Sequence, residues 1–322
     1  MSVKLDLKNA LINGSLEYWQ RNTSFAAIAS GTYTADRWLY LKAGTMVHTV
    51  SRSSDVPSSA FGIYSALIDC TTAQTSLGST DQTHFIQRIE GNMFRPLKGK
   101  KIVLSFWVKA TKTGTYCVAF RNGSLTRSLV KEYSVSATNT WEKKIIRFEH
   151  DPSGSWSYDN SSGLAVIFTL ASGSSFITSA NTWQSGNFIA TSNQVNACDN
   201  VANNFQLTDV CLQEDNEGQT REPDFQLAGR DIFEELQLCQ RYYQFLENCV
   251  CYGALNVSNY FAFKVIMRIA PLCTVTPLQN TNATGVNQTS NSLTQHGVVY
   301  QADVPVGGVT YNRFNLAANA EL

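Results

Sequence analysis

An alternation of apolar and polar residues with a period of two dominates the first 215 residues of the chain. It is clearest over Lys101–Lys109. One face of this segment carries Ile102, Leu104, Phe106 and Val108, and the other carries Val103, Ser105 and Trp107. Successive side chains of a β-strand point to opposite faces of the sheet, so the pattern predicts a strand packed strongly on one side.

Further segments with strand character follow at short intervals, separated by turn signals such as Asn122-Gly123 and Asn160-Ser161-Ser162-Gly163. They are Tyr116–Phe120, Ser128–Val135, Lys143–Glu149, Leu164–Leu170 and Phe205–Leu212. Short strands without helical periodicity predict an antiparallel β-sandwich. The jelly roll is the favoured version, because it closes about eight strands with long end loops.

A polar, strand-poor stretch, Gln213–Arg230, separates the sandwich from the rest of the chain. We therefore predict a jelly-roll domain at 1–215, a linker at 216–230 and a C-terminal domain at 231–322. The C-terminal domain opens with a helix signal, in which Asp231 is a candidate N-cap and apolar residues recur at helical spacing as far as Cys249.

The residues after this helix return to strand character. The expected strands are Cys251–Leu255, Phe261–Met267 and Val298–Val304, with a long loop or hairpin tip at 279–295. A helix laid on a small antiparallel sheet fits this order. The predicted fold class is therefore mainly β, with a jelly-roll-like sandwich followed by a small α+β domain.

Composition argues against several classes of partner. Charged residues make up 16% of the chain, and 25 Lys and Arg residues balance 25 Asp and Glu residues, so no nucleic-acid partner is expected. No apolar run approaches the roughly 18 residues that span a bilayer, so no membrane insertion is expected. The N-terminal residues lack the apolar core of a secretory signal, which favours synthesis in a cytosol.

The sequence contains none of the common enzyme or metal-binding motifs. The eight cysteines form no CxxC pair and the four histidines are isolated, so we expect no metal and no cofactor, apart from a possible structural calcium ion. Most cysteines are expected to be buried free thiols. A glycosidase needs only two carboxylates close in space, and Glu17, Asp36, Glu90 and Asp159 are available. Surface or strand-end roles are favoured for all four, so no enzyme activity is predicted.

Two groups of aromatic residues receive different interpretations. Trp38 and Trp107 lie in or beside strands and are expected to fill the core, while Asp36 and Arg37 fix a strand end. Trp156, Tyr158 and Trp183 lie in Ser-, Gly- and Asn-rich segments, where exposed rings could stack on sugar rings. The alternative for this second group is that the rings anchor long loops or lie in a subunit interface.

An ordered set of segments resembles bacteriophage tail-fibre and tail-accessory proteins that carry a sandwich like that of carbohydrate-binding modules. The segments are Leu11-Ile12-Asn13-Gly14, Trp19-Gln20-Arg21, Tyr33-Thr34-Ala35-Asp36-Arg37-Trp38, Gln87-Arg88-Ile89-Glu90, Ser105-Phe106-Trp107-Val108-Lys109, Asp209-Val210 with Leu212-Gln213, Cys239-Gln240-Arg241-Tyr242-Tyr243 and Ala320-Glu321-Leu322. Structural roles are expected for Trp19, Tyr242 and Tyr243. One departure is Pro223-Asp224-Phe225, which is displaced from the compact turn that such proteins tend to have.

The resemblance implies a structural protein of the virion, synthesised in the host cytoplasm. It implies a homo-oligomer, most plausibly a trimer, that contacts other virion proteins and in which the sandwich is available to bind host-surface glycan. The preferred interpretation is a non-enzymatic tail fibre or tail appendage. A head fibre or capsid decoration protein is the alternative, and a glycan-depolymerising tailspike is less favoured because β-helix repeats are not visible.

Overall fold

The computed structural model describes residues 9–215, 230–254, 257–281, 285–288, 293–303 and 309–322. The chain divides into two compact units. One unit extends to Asp231 and includes Leu322, and the other is Ile232–Glu321. Most of the predicted linker at 216–230, including Pro223-Asp224-Phe225, lies outside the described residues.

The first unit is an antiparallel sandwich of two sheets. The front sheet has the strand order β1 (Ser24–Phe25), β4 (Val47–Ser53), β5 (Ser65–Thr72), β13 (Asn204–Glu214), β7 (Lys101–Ala110) and β10 (Glu142–Glu149). The back sheet has the order β12 (Gln184–Ser185), β9 (Arg127–Val135), β8 (Gly114–Asn122), β11 (Ser162–Ser172), β6 (Gln82–Glu90), β3 (Trp38–Ala43) and β2 (Thr32–Tyr33). Helical turns at α1 (Gly91–Phe94), Arg95–Leu97 and Ser174–Phe176 complete the unit.

All six strands predicted for this unit are confirmed, and the alternation of β7 positions its apolar face as expected. Ile102, Leu104, Phe106 and Val108 are all buried in the core between the sheets. The ring of Phe106 lies 4.9 Å from that of Phe168 on the back sheet, in an edge-to-face contact. The prediction of a mainly β, jelly-roll-like sandwich is thus confirmed.

The outer face of the back sheet is itself buried. Apolar residues of β3, β6, β8, β9 and β11 on that face pack against Ile189 and Ala190, with Phe176, Ile177 and Phe188 at the margin. These covering residues belong to the segment between β11 and β13. The back sheet therefore has a second small core, which covers the central part of its outer face.

The second unit contains helix α2 (Ile232–Gln240) and two three-stranded antiparallel sheets. One has the order β14 (Tyr243–Ala254), β19 (Val309–Asn319) and β16 (Leu272–Thr281). The other has the order β15 (Val257–Ala262), β18 (Gly297–Asp303) and β17 (Gly285–Gln288). Residues from β14, β18 and β19, including Cys251, Tyr300 and Phe314, form its core.

The helix is shorter than the apolar spacing predicts. It ends at Gln240, and the residues from Tyr243 onward form β14, which pairs with β19 along its length. Tyr242 and Tyr243 are both buried, but in the turn after the helix and at the start of the strand. The segment is rich in aromatic residues, which favour strands, and its pairing with β19 outweighs the helical spacing.

Three segments of the second unit differ from or match the sequence prediction. The strand expected at Phe261–Met267 ends at Ala262, and the polar stretch at 279–295 contains the end of β16 and the whole of β17. The strand expected at Val298–Val304 is confirmed as β18.

Candidate functional site

Trp38 and Trp19 are structural residues of the sandwich. Trp38 is fully buried, its ring stacks on Phe85 at 5.1 Å, and its indole N–H donates to the Asn13 carbonyl at 2.9 Å. Trp19 is buried beside Phe25, and its N–H donates to the Leu16 carbonyl at 2.7 Å. Both indoles therefore hold the N-terminal segment of the unit against its core.

Asp36 and Arg37 are buried at the start of β3 and fix the surrounding chain. The Asp36 carboxylate accepts hydrogen bonds from the backbone and side-chain nitrogens of Gln20 and lies 3.5 Å from the Arg21 guanidinium. Arg37 donates to the Arg88 carbonyl at 2.6 Å. These contacts join the strand end to neighbouring segments, and both side chains are too deeply buried to reach a ligand on the surface.

The structure brings the three loop aromatics together at one end of the sandwich. The rings of Trp156 and Trp183 lie 5.5 Å apart and nearly perpendicular. Trp156 also lies 5.5 Å from Phe94, and the Tyr158 ring is stacked parallel to Phe94 at 6.3 Å. We call Trp156, Tyr158 and Trp183 the end cluster. All three are partly buried and pack against the main core.

The polar atoms of the end cluster are used within the protein. The indole N–H groups of Trp156 and Trp183 donate to the backbone carbonyls of Ser153 and Glu149, each at 2.9 Å. The Tyr158 hydroxyl lies 3.3 Å from Nε2 of His150, whose pKa is lowered by burial. This arrangement fits the anchoring of long loops better than the presentation of free groups to a sugar.

Trp107 is not a core residue, in contrast to the prediction. The alternation of β7 directs it to the outer face of the front sheet, where it is only partly buried. Within the part of the chain that the structure describes, its indole N–H has no hydrogen-bond acceptor and no other ring packs against it. The apolar neighbours that suggested packing, Phe106 and Val108, point to the opposite face.

Trp141 lies on the same face of the front sheet as Trp107, beside Lys109. Trp107 pairs with Lys143 across the β7–β10 ladder. The next position of β7 on this face is Lys109, and the register continued by one pair places Trp141, the residue before β10, opposite it. Trp107 and Trp141 are therefore diagonal neighbours, roughly 7–8 Å apart at the backbone. We call this pair the indole pair.

Charged and polar groups surround the indole pair. Asp55 accepts a hydrogen bond from the Trp141 indole at 3.0 Å and forms an ion pair with Lys109. The Lys109 ammonium lies 5.5 Å from the centre of the Trp141 ring. Partial burial acts to raise the pKa of Asp55, but the hydrogen bonds from Lys109, Trp141 and Gln206 hold it below its usual value. The carboxylate is therefore charged at neutral pH and can accept further hydrogen bonds.

The loop at 54–64, between β4 and β5, is attached to the outer face of the front sheet at two points. Near its start, Asp55 contacts Lys109 and Trp141. Near its end, the backbone N–H groups of Phe61 and Gly62 donate to the two carboxylate oxygens of Asp209 at 2.7 and 3.0 Å. Since β13 lies between β5 and β7, the loop passes over β13 and forms one border of the surface that carries the indole pair.

The four carboxylates considered for glycosidase chemistry do not gather around the indole pair. Asp36 is buried with Gln20 and Arg21, and Asp159 accepts from Ser161. Glu90 is buried beside α1. Burial raises the pKa of Glu17, a backbone hydrogen bond from Ile63 acts to lower it, and the nearby charge of Asp209 acts to raise it further. Asp209 is the carboxylate near Glu17, but both of its oxygens already accept hydrogen bonds from the 54–64 loop.

Among the described residues, no group of three or more His, Cys, Asp or Glu side chains is arranged to hold a metal ion. In the same residues, no helix has the length and apolarity required to cross a membrane. All eight cysteines are free, and seven of them are buried.

Sequence reasoning singled out the end cluster and missed the indole pair. Trp141 precedes a correctly predicted strand, and counting back by two from Lys143 places it on the solvent face. Counting along β7 by two from Ser105 places Trp107 on the face of the strand that does not carry Ile102, Leu104, Phe106 and Val108. What the sequence does not contain is the pairing of β7 with β10, which places the two indoles on one face of the sheet.

Comparison with solved structures identifies proteins of similar architecture. The enzymatically active domain of tailspike protein 4 from bacteriophage CBA120 matches with 15% identity and a TM-score of 0.32, over 59% of this chain and 21% of that chain. A family 11 carbohydrate-binding module from a Clostridium thermocellum cellulase matches with 11% identity and a TM-score of 0.33, over 61% of this chain and 98% of that module. A C-terminal family 22 carbohydrate-binding module from the same organism matches with 13% identity and a TM-score of 0.31, over 58% and 96%. No protein-family model and no curated protein matches the chain. At such identities and TM-scores, these likenesses do not indicate what the chain binds.

Proposed function

We propose that this protein binds a glycan on the outer face of its front sheet, with the indole pair as the platform. The observation that carries the proposal is Trp107, a partly exposed indole on a sheet face whose N–H group is unused by the described protein. An indole supplies a large flat apolar surface for one face of a sugar ring and one donor for a hydroxyl. Asp55, Lys109 and Gln206 supply acceptors and donors for further hydroxyls.

The charge of the protein fits this mode of recognition. The formal net charge is zero, and the Asp55 carboxylate is already paired with Lys109. Strong electrostatic attraction of a polyanion is therefore not expected. Stacking and hydrogen bonding supply the affinity instead, which suits a neutral or weakly charged polysaccharide.

The wider biological role that we propose is attachment of a bacteriophage to its host. The support is the ordered set of sequence segments that resembles tail-fibre and tail-accessory proteins, together with a surface suited to sugar. In this proposal the protein is a non-enzymatic homo-oligomeric component of the virion, held by other virion proteins. A head fibre or capsid decoration protein would use the same surface for a different attachment, and a tailspike would also cleave the glycan.

Binding of the purified full chain to a panel of bacterial surface polysaccharides tests the proposal. For a polysaccharide that binds the parent protein, we expect Trp107→Ala to weaken binding roughly tenfold or more, since exposed tryptophans at binding surfaces are frequent hot spots. Trp141→Ala should have a similar effect. Neither variant should release new reducing ends from the polysaccharide, and neither should the parent.

The matched controls are Trp156→Ala and Trp183→Ala in the end cluster. Each control variant also replaces a tryptophan by alanine in the sandwich, but in the end cluster and not in the indole pair. We expect both to keep the affinity of the parent protein for the polysaccharide. Loss of binding in these two variants, with Trp107→Ala unaffected, would move the site to the end loops. Failure of the parent to bind any polysaccharide would refute the proposed function, and release of reducing ends would favour the tailspike.

A further inference from the structure

Strand β16 has an unpaired edge with an exposed apolar face. In its sheet it pairs only with β19, and within the described ranges no strand pairs with its other edge. Leu272 and Leu278 are 75% and 45% exposed, and Thr274 and Thr276, which share the face of Leu272, are exposed too. Soluble proteins usually protect such an edge, because its free backbone groups can pair with another strand.

The protections visible in β16 are one proline and a pairing irregularity between Pro277 and Gln279, both at one end of the apolar stretch. The ten residues Leu272–Thr281 include no charged side chain. The single proline, Pro277, lacks the N–H of an ordinary residue, and a proline in an edge strand is accommodated where its nitrogen faces away from the neighbouring strand. Residues 273, 275 and 277 are alternate positions in the regularly paired part of β16. Alternate residues of a strand direct their backbone groups to the same edge, so the N–H groups of Cys273 and Val275 face the free edge as well.

The sequence of this edge is almost a palindrome. Residues 272–278 read Leu-Cys-Thr-Val-Thr-Pro-Leu, with Val275 at the centre. An antiparallel pair of two identical strands, centred on Val275, would place Thr274 opposite the partner subunit's Thr276. Leu272 would lie near the partner subunit's Leu278, at which the pairing of β16 with β19 is irregular. Pairs of threonines and pairs of apolar residues are favourable across antiparallel strands.

We propose that the free edge of β16 is the contact between two copies of this chain, related by a two-fold axis at Val275. Both Val275 residues then exchange N–H to carbonyl hydrogen bonds, and Cys273 donates to the carbonyl of the partner's Pro277. The contact joins two three-stranded sheets into one of six strands. Its two halves are the same surface, so it joins copies in pairs. An assembly built with it has an even number of chains, which differs from the trimer that the sequence resemblance implies.

A charge-reversal pair tests the register. In the double variant T274K/T276K, like charges face each other twice across the axis, and we expect the dissociation constant of the assembly to rise by roughly tenfold or more. In T274K/T276E, the same positions bring a lysine opposite a glutamate twice, so the assembly should persist. Both pairs of substitutions lie at exposed positions of one monomer, so folding should survive in each.

The stoichiometry of the full chain is measured by size exclusion with light scattering and by sedimentation velocity over a range of concentrations. Ile266→Lys, at a 57% exposed position outside β16, is the control and should assemble like the parent. A parent that is monomeric, or that contains an odd number of chains, would overturn the proposal. So would equal assembly of the two double variants, because the proposed register requires them to differ.

Discussion

The opposite positions of Trp38 and Trp107 predict a large difference in the stability effects of the same substitution. Trp38→Ala removes a fully buried indole that stacks on Phe85 at 5.1 Å and also lies 6.1 Å from Phe168. Burial of this kind corresponds to about 3–5 kcal/mol of unfolding free energy. The Asn13 carbonyl also loses the indole donor at 2.9 Å and keeps the Leu16 N–H at 3.1 Å, so this adds about 1 kcal/mol.

Trp107→Ala should affect unfolding much less. Its indole is partly exposed, and in the described part of the chain it makes neither a ring contact nor a side-chain hydrogen bond. Because the indole is still largely covered, its truncation should cost about 1–2 kcal/mol of unfolding free energy. The difference between the two variants should therefore be about 2 kcal/mol or more.

Urea unfolding followed by far-ultraviolet circular dichroism measures this difference without depending on tryptophan fluorescence. Because the chain has two compact units, the transition of the sandwich must be fitted separately from that of the C-terminal unit. The denaturant dependence should be unchanged in Trp107→Ala. A loss of stability in Trp107→Ala as large as that in Trp38→Ala would refute the placement of Trp107 on the outer face.

Two further predictions concern buried ionisable groups of the sandwich. Burial lowers the pKa of His48 to about 4, with Lys42 as a second cause, so the unfolded chain binds a proton near pH 6.5 and the folded chain does not. The free energy of unfolding should be at its full value above pH 6.5 and fall towards pH 4 by up to about 1.4 kcal/mol per pH unit. His48→Gln should reduce this slope, as measured by urea unfolding at several pH values. Equal slopes in the parent and the variant would contradict the prediction. In the parent protein, Nε of Arg127 lies 2.5 Å from the buried Asp151 carboxylate. Asp151→Ala leaves the Arg127 guanidinium without this partner. We expect a loss of about 3 kcal/mol, measured by thermal melting, with the exposed Asp159→Ala as a control that should melt like the parent.

Period-two patterns predicted the sandwich well because burial on one face directly determines that pattern. The alternation of β7 identified both the strand and the residues that fill the core. The same reasoning failed for Tyr243 and the residues after it, since apolar residues there satisfy a helical spacing as well as a strand. Only the long pairing with β19 shows that the segment is a strand and not a helix. Pairings between distant segments cannot be read from one sequence.

The candidate site shows the same limit. Trp107 was assigned to the core because its neighbours in sequence are apolar, although its own position in the alternation faces outward. Asp55 and Trp141 are 86 residues apart, and their hydrogen bond depends on a loop that passes over an intervening strand. Local composition favoured the end cluster, because Gly- and Ser-rich surroundings suggest exposure, yet those rings pack on one another.

The two attachments of the 54–64 loop also bear on how such a surface could diversify. Asp55 fixes one end and Asp209 the other, while Ser58 and Ser59 between them are exposed. Neither attachment uses the side chains of these serines. Mutations there would change the border of the surface while leaving the sandwich intact. Under the proposed function, this short segment is therefore where the choice of glycan can change during evolution at little cost to folding stability.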